Sequence, residues 1–345
     1  MNNEIEVRIY SSNFELLGVV DEFSSLIWIR RYQEPGEFEL HTPYSMANRN
    51  LLVGENIVQK FDKKTTTEAG VIEYVEMTED EIIIKGRFLE SYLNRRLIKN
   101  TTFYRGNAED TMRSIISNMV AFPLLFLGTD KGLTETLEFQ VTYKIVLNTI
   151  QKVCRATGYG FRIRPDFTTR KMYFEVYDGK DLTIDTSPKV IFSETYDNLQ
   201  DERYIYDSTS YKTKAYCTQT INDVRKVYAV GSGSGRELRE YHVATSVDTN
   251  EQTEADIKTA METQGYISLE KNVISESFSF TTNDTPFIYQ DDYDLGDKVI
   301  ISHNAWNINT ILRITEIEED YEDGGREIHL TCGNPQAEKV DFEEE

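Results

Sequence analysis

Cysteine is scarce: Cys154, Cys217 and Cys332 are the only three in 345 residues, far apart and in no CxxC or Cys/His spacing. That excludes the familiar zinc patterns and a disulfide framework, and free thiols in such a chain are expected in the core. The four histidines, His41, His242, His303 and His329, are scattered without an HExxH pattern and are expected to be structural. Long apolar runs are absent too. The longest, Val120 to Leu127, contains Pro123 and falls far short of the eighteen or so residues of a membrane span. The opening MNNEIEVRIY has neither the basic start nor the apolar stretch of a secretory signal, so the expectation is a protein made in the cytoplasm, not exported by a signal and not inserted in a membrane. Basic residues are in deficit, 37 Lys and Arg against 59 Asp and Glu, a formal charge of −22. Affinity for a phosphate backbone comes from Lys and Arg displacing counterions, so general nucleic-acid binding is excluded, whereas a surface past which DNA slides without sticking is not.

What is abundant is aromatic and β-branched material: 21 Tyr and 17 Phe, with Val and Ile throughout. Such a chain folds, and its length suits two or three domains. Charge divides it. Residues 99–184 carry 12 basic and 9 acidic side chains, a net +3, leaving −25 for the flanks. Within that middle stretch Asn107 and Asp110 form a capping pair before Met112, Ile115, Ile116 and Met119 at helical spacing. A second helix is predicted after Thr142, with Ile145, Val146, Ile150 and Val153 on one face and Gly158 at its C-terminus. FRIRPD and KMYFEVYDG then alternate as a hairpin around 165–170. The flanks read as β: EVRIYSSN, FELLGVVD, SSLIWIRRYQ and GEFELHT at the start, and VIFSETY, RYIYDSTSY, KAYCTQTI, VRKVYAVG and LREYHVATSV after residue 184. One helix interrupts the second set, from Thr253, able to cap with Asp256, to about Lys271.

The two flanks resemble each other. G54-E-N-I-V-Q-K-F61, V71-I-E-Y-V-E76 and D80-E-I-I-I-K-G86 recur as G296-D-K-V-I-I-S-H303, R313-I-T-E-I-E318 and R326-E-I-H-L-T-C-G333. Gly54 and Gly296, Ile57 and Val299, and Ile72 and Ile314 are all 242 positions apart, while Ile82 and Ile328 need a gap of four. A duplication of a three-strand unit accounts for this pattern. The fold class expected is α+β, mainly β: two similar β-barrel-like domains, 1–98 and 185–340 (the second with one helix, about 254–271), flank a small α/β insertion domain at 99–184, and an acidic tail follows at 341–345.

Residues that could carry chemistry have simpler readings. Gly231-Ser-Gly-Ser-Gly235 follows a strand, but Arg236 stands where a dinucleotide fingerprint needs its third glycine and RELREYHV alternates like a strand, so a hairpin loop is expected. Asp291, Asp292, Asp294 and Asp297 are rich in carboxylates but lack the order of a calcium loop, and a solvated turn is expected. Carboxylate pairs are too common among 59 acids to signal glycoside hydrolysis. Trp28 alternates into a core. No catalytic, cofactor-binding or metal-binding residue is assigned, and no cofactor is expected.

The order of segments IEVRIYSSNFELLGVVD, SSLIWIRRYQEPGEFEL, GENIVQKF, EAGVIEYVE and EIIIKGRFLESYLNRR, with YDLGDKVII and RITEIEEDYEDGGREIHLTCGNP at the other end, resembles the tail-tip or baseplate-hub proteins of Gram-positive phages and prophages, of siphophage type. The resemblance implies a non-enzymatic structural subunit in the virion tail. It implies a homotrimer closing a six-fold tail tube, with a channel for passive DNA passage and ejection. Its partners would be a distal tail protein or tube ring above, a tape-measure protein in the lumen, and tip, fibre or receptor-binding proteins below. Some relatives continue into a peptidase, lysozyme-like or fibre region, and with the sequence ending at Glu345 no such extension is expected. Two other classes stand beside this reading: a tail-associated enzyme that degrades peptidoglycan, and a host receptor- or carbohydrate-binding tail module.

Overall fold

The computed structural model describes residues 5–62, 68–118, 122–184, 189–249, 252–270, 272–322 and 325–333; the tail expected at 341–345, and Met119 and Lys271 at the ends of expected helices, lie outside them. Alternation builds the first strands. In β3 (Ser25–Arg31), which follows β1 (Glu6–Tyr10) and β2 (Leu16–Val20), Leu26, Trp28 and Arg30 are buried while Ile27 and Ile29 are half-buried, the period of two of a pleated strand. The turn at Pro35-Gly36 leads into β4 (Glu37–Pro43), and Gly36 is required there because a Cβ would lie 2.4 Å from the Ile29 carbonyl oxygen. A short helix that sequence periodicity missed, α1 (Met46–Leu51), is capped by Ser45, whose hydroxyl accepts the Asn48 N–H at 3.0 Å. Three strands complete this part: β5 (Ile57–Phe61), β6 (Gly70–Met77) and β7 (Glu81–Phe88).

The middle segment contains β8 (Leu97–Ile98), β9 (Thr102–Asn107), α2 (Ala108–Ser117), β10 (Leu125–Leu127), β11 (Thr136–Val141), β12 (Lys144–Ile145), α3 (Val146–Thr157), β13 (Gly160–Asp166) and β14 (Lys171–Tyr177). Both helices and the β13–β14 hairpin are where the sequence placed them. Asn107 accepts the Asp110 N–H at 3.0 Å, and Gly158 ends α3 in the left-handed conformation at φ 77°. Met112, Ile115, Ile150 and Val153 share one core with Tyr10, Phe14, Ile57 and Val71 of the first strands, so the middle segment is welded onto the first β unit rather than merely tethered to it.

The remaining elements are β15 (Ile191–Ser193), β16 (Gln200–Asp207), β17 (Lys214–Ile221), β18 (Val224–Gly231), β19 (Glu240–Ala244), α4 (Glu254–Glu270), β20 (Ser275–Thr282), β21 (Lys298–His303), β22 (Ile308–Glu322) and β23 (Gly325–Gly333). Thr253 and Asp256 cap α4 reciprocally, at 3.1 and 3.2 Å. Its face packs Ala260 and Met261 against Ala215, Cys217 and Val230 of the three-stranded sheet β18-β17-β19. β19 runs parallel to β17 on the side away from β18, so residues 232–239 cross over instead of forming the hairpin loop expected at Gly231–Gly235.

The expected β-barrel-like domains show no closed barrel among the described residues. Among the described residues, one 13-stranded sheet runs β16-β20-β23-β22-β3-β4-β7-β6-β5-β1-β2, with β21 on β22 and β15 on β21, and this path does not close. The order nonetheless contains the duplication, and more of it than three strands. Successive antiparallel partners β3-β4-β7-β6-β5 are matched by β16-β20-β23-β22-β21. The copies share a defect as well. The β6–β7 ladder slips between Ile72 and Tyr74, and the β22–β23 ladder slips between Ile314 and Glu316, the same step 242 residues on. A bulge is a local, heritable irregularity, and its recurrence at an equivalent position marks common descent of the two units more strongly than strand order does.

Three differences separate the copies. β1 is antiparallel to β5, whereas β15 is parallel to β21. The hairpin between β3 and β4 is replaced, between β16 and β20, by the whole β17–β19 and α4 subdomain. And the first repeated strand is out of step by one: Glu55 N–H bonds to the Ile72 carbonyl as Gly296 N–H bonds to that of Ile314, so Glu55, not Gly54, is the counterpart of Gly296. The physical reason is the turn, which needs a left-handed residue there, φ 69° at Glu55 and 95° at Gly296.

Candidate functional site

The two β units meet along one ladder, β3 against β22, running from Arg31 opposite Glu316 to Leu26 opposite Tyr321. Each pair is fixed by the pleat: Trp28 and Arg30 face the same side as Glu319 and Ile317, and all four are buried. Polar side chains in this position must be paired. Lys60 of β5 reaches across and places its Nζ 2.5 Å from Glu319 Oε1, while the Tyr321 hydroxyl donates to Glu319 Oε2 at 2.6 Å. Arg30 donates to Glu68 at 2.9 Å, to the Tyr289 hydroxyl at 2.7 Å and to Asp294 at 2.5 Å. Burial works against the Arg30 charge, but Glu68, Tyr289 and Asp294 outweigh it and hold its pKa well above the ordinary value. At the exposed side Arg31 is clamped by Glu316 at 2.7 Å and Glu37 at 2.8 Å.

Tyr32, the next residue, ties in the third segment. Its ring is buried, its hydroxyl donates to the Gly158 carbonyl at 3.1 Å, and Arg313 donates to it at 3.3 Å. Gly160 of the middle segment and Gly296 of the second unit both pack on the ring: a Cβ would fall 2.3 Å from it at Gly160 and 2.4 Å at Gly296. Beside this junction lies a small recess, with room for little more than a water molecule, lined by Arg30, Glu68, Glu90 and Arg162 among others. Glu90 is buried on the 3₁₀ turn Leu89–Arg95, accepts the Ile163 N–H at 2.7 Å, and is pushed up to about 7 by desolvation. The recess is far below the size usual for ligand sites, and two of its charged groups, Arg30 and Glu68, are already paired at 2.7 Å.

The residues considered in the sequence are dispersed. Trp28 is core, 1 % exposed, and all three cysteines are buried and free. His41 lies between Glu39 and Glu81, His242 bonds Thr218, His303 stacks on Trp306 with centroids 4.0 Å apart, and His329 bonds Thr281. The acidic loop is not a solvated turn only: Asp294 binds Arg30, Asp297 accepts the backbone N–H of Lys180 and of Asp294, and Asp292 accepts that of Ile288. Arg162 and Arg164, two of the basic residues of the middle segment, both grip Glu175 on the adjacent strand, at 2.8 and 3.0 Å. What these contacts build is joints between segments of the chain. The seam itself escaped the sequence because its partners, Lys60 with Glu319 and Arg30 with Asp294, are more than 250 residues apart; only the alternation of Arg30 into a buried position hinted at it.

The model of the siphovirus ReqiPepy6 Gp37-like protein family matches residues 6–334. The chain belongs to that family. It also shares its fold with solved tail proteins. One from Neisseria meningitidis MC58 has 12 % identity and TM-score 0.61, covering 96 % of this chain and 97 % of that one. The 43 kDa tail protein of prophage MuSo2 from Shewanella oneidensis has 10 % identity and TM-score 0.57, with 96 % and 98 % covered. Prophage tail protein gp18 of Listeria monocytogenes EGD-e has 14 % identity and TM-score 0.53, with 96 % and 95 % covered. No curated protein matches the sequence.

Proposed function

We infer that this chain is a structural subunit of the siphovirus tail tip, a hub that works through its interfaces and performs no chemistry. The observation that carries the reading is the duplicated β unit with its shared bulge. A tip protein that meets a six-fold tube as a trimer must offer two equivalent surfaces per chain, and two units in each of three chains make six. In this reading 1–98 and 185–340 are the two hub domains, whose strands close into a ring only in the assembly, and 99–184 is the insertion. The fold shared with solved tail proteins, two of them from prophages, supports the location.

The hub closes the tail tube, adapts six-fold to three-fold symmetry and leaves a channel through which DNA passes. Its neighbours are other copies of itself, a distal tail protein or tube ring above, a tape-measure protein in the lumen, and tip or fibre proteins below. The charge suits a DNA channel, because residues 284–345 hold 17 acids and 4 bases, and an acidic lining denies passing phosphates the counterion-release gain that would hold them. Electron microscopy of the intact particle tests the reading. Three copies at the tube end, with the two units of each chain related by a rotation near sixty degrees about the tail axis and at the same height, is the expected result. Units at different heights, or a position away from the axis, would overturn it.

A further inference from the structure

Inside each chain the seam uses one edge of β3 and one edge of β22. The duplication gives each of these strands a counterpart, β16 for β3 and β6 for β22, and both counterparts have the matching edge open. β16 pairs with β20 on one side and, among the described residues, with no strand on the other. β6 pairs with β7 along one side, but β5 covers only Gly70 and Val71 on the other, and among the described residues no strand lies along 73–77. Such edges present unpaired N–H and C=O groups and are normally covered.

We propose that the open edge of β16 in one copy of this chain pairs antiparallel with the open edge of β6 in the next copy, repeating between copies the β3–β22 seam within each. The proposal rests on the ring reading for the number of copies, but not for the pairing. The register follows from the ladders. Trp28 lies opposite Phe38 as Tyr204 lies opposite Phe278, and Phe38 lies opposite Gly86 as Phe278 lies opposite Cys332, which aligns Trp28 with Tyr204. The shared bulge aligns Ile72 with Ile314. Carried over, the seam pairs Arg31–Glu316, Arg30–Ile317, Ile29–Glu318 and Trp28–Glu319 become Asp207–Tyr74, Tyr206–Val75, Ile205–Glu76 and Tyr204–Met77.

The side chains agree with that register. Ile29 faces Glu318 in the seam, and Ile205 faces Glu76 in its counterpart, the same two residue types. Tyr206, Met77, Tyr74 and Ile205 are 58 %, 43 %, 48 % and 37 % exposed, four large apolar or aromatic side chains on two otherwise bare edges. Tyr204, Tyr206, Val75 and Met77 take the places of Trp28, Arg30, Ile317 and Glu319, the buried face of the seam, so pairing would bury them too. A second copy fits as occupant because each edge matches, strand for strand, a contact the chain already makes with itself. The join is head-to-tail, so it generates a ring or a filament and not an isologous pair.

Disulfide trapping in the full chain tests this. In the seam the Tyr32 N–H bonds to the Thr315 carbonyl, which makes Ile29–Glu318 a non-hydrogen-bonded pair by alternation, with facing Cα atoms about 4.5 Å apart and within disulfide reach. The variant combining Glu76→Cys with Ile205→Cys is therefore expected to cross-link between chains under mild oxidation. The two single variants, and a pair shifted by two residues (Tyr74→Cys with Ile205→Cys), should cross-link at least ten-fold more slowly. All the substituted positions are on open edges, and unchanged melting of the reduced variants checks that each folds. Equal cross-linking of the shifted pair, or no cross-link at concentrations up to those at which copies associate, overturns the edge pairing. Trimers seen by native mass spectrometry without the disulfide would leave the ring reading standing and remove these edges from it. The specific disulfide in an open-ended ladder of oligomers would keep the edges and remove the closed trimer.

Discussion

The Lys60 ammonium and the Glu319 carboxylate, 2.5 Å apart and each 1 % exposed, join the fifth strand of the first β unit to the longest strand of the second. Removing one partner from such a pair leaves a buried uncompensated charge, which costs about 3–5 kcal/mol, whereas apolar replacement of both is often close to neutral. Glu319→Ala is therefore expected to lose most of that amount in urea denaturation, and Lys60→Met with Glu319→Leu much less. Equal losses in the single and the double variant would show that the pair is not the joint described.

Gly160→Ala and Gly296→Ala each drive a methyl group into the Tyr32 ring. Overpacking of this kind costs about 1–3 kcal/mol, and Gly296 adds backbone strain at φ 95°. Residues that share a contact are energetically coupled, so the Gly160→Ala penalty is expected to shrink in a Tyr32→Leu background. Thermal melts of the wild type, the two single variants and the double variant measure the coupling, and additive losses would remove Tyr32 as the common anvil.

Glu90 gives a pH signature. Its carboxyl ionises near 4.5 in the unfolded chain and is raised to about 7 by burial in the fold. Between those values the unfolded chain holds fewer protons, so stability falls as pH rises: the contribution is complete below about 4.5 and is lost as pH passes through about 7. Glu90→Gln keeps an acceptor for the Ile163 N–H and cannot ionise. It is expected to match the wild type at pH 4 and to exceed it at pH 8 by up to about 3 kcal/mol. Parallel denaturation profiles across that range would place Glu90 outside the cause.

Much of this architecture was legible in the sequence, where local rules suffice. Asn107, Gly158 and Thr253 announced helix ends because caps act within one turn, and alternation announced Trp28 as core. The duplication was legible as a pattern of apolar spacing, but only in part. Its first two strands went unseen because β16 and β20 are split by an inserted subdomain, and because Phe38 and Phe278 are too short a signal alone. Gly54 and Gly296 misled by identity, since the turn selects a conformation and Glu55 adopts it. α1 was missed because none of its residues is buried, which leaves no apolar period to find. The single sheet and the buried ion pairs were beyond reach for a different reason: they depend on which edges meet across the whole length of the chain.

Segment charge says least about individual residues at Arg162 and Arg164. Net charge by segment does not show which charges are paired, and these two share the single carboxylate of Glu175. Reversing both to Glu is therefore expected to lower the melting temperature of the isolated chain, by bringing three carboxylates together, and not merely to weaken salt-dependent association. An unaltered melt would return them to the surface.

The ladder between β3 and β22 also sets a timetable. Residues 26–31 wait for residues 316–321, and at about 5–20 residues per second a ribosome needs roughly 15–60 s to deliver them. For that interval the nascent chain shows a bare β3 edge beside a finished β6. By the equivalence of β6 with β22, that β6 is a look-alike of the strand β3 awaits. Two half-made chains on neighbouring ribosomes thus hold complementary pieces of one joint, and orderly production of this protein depends on each chain's own C-terminal strands arriving before a neighbour's substitute docks.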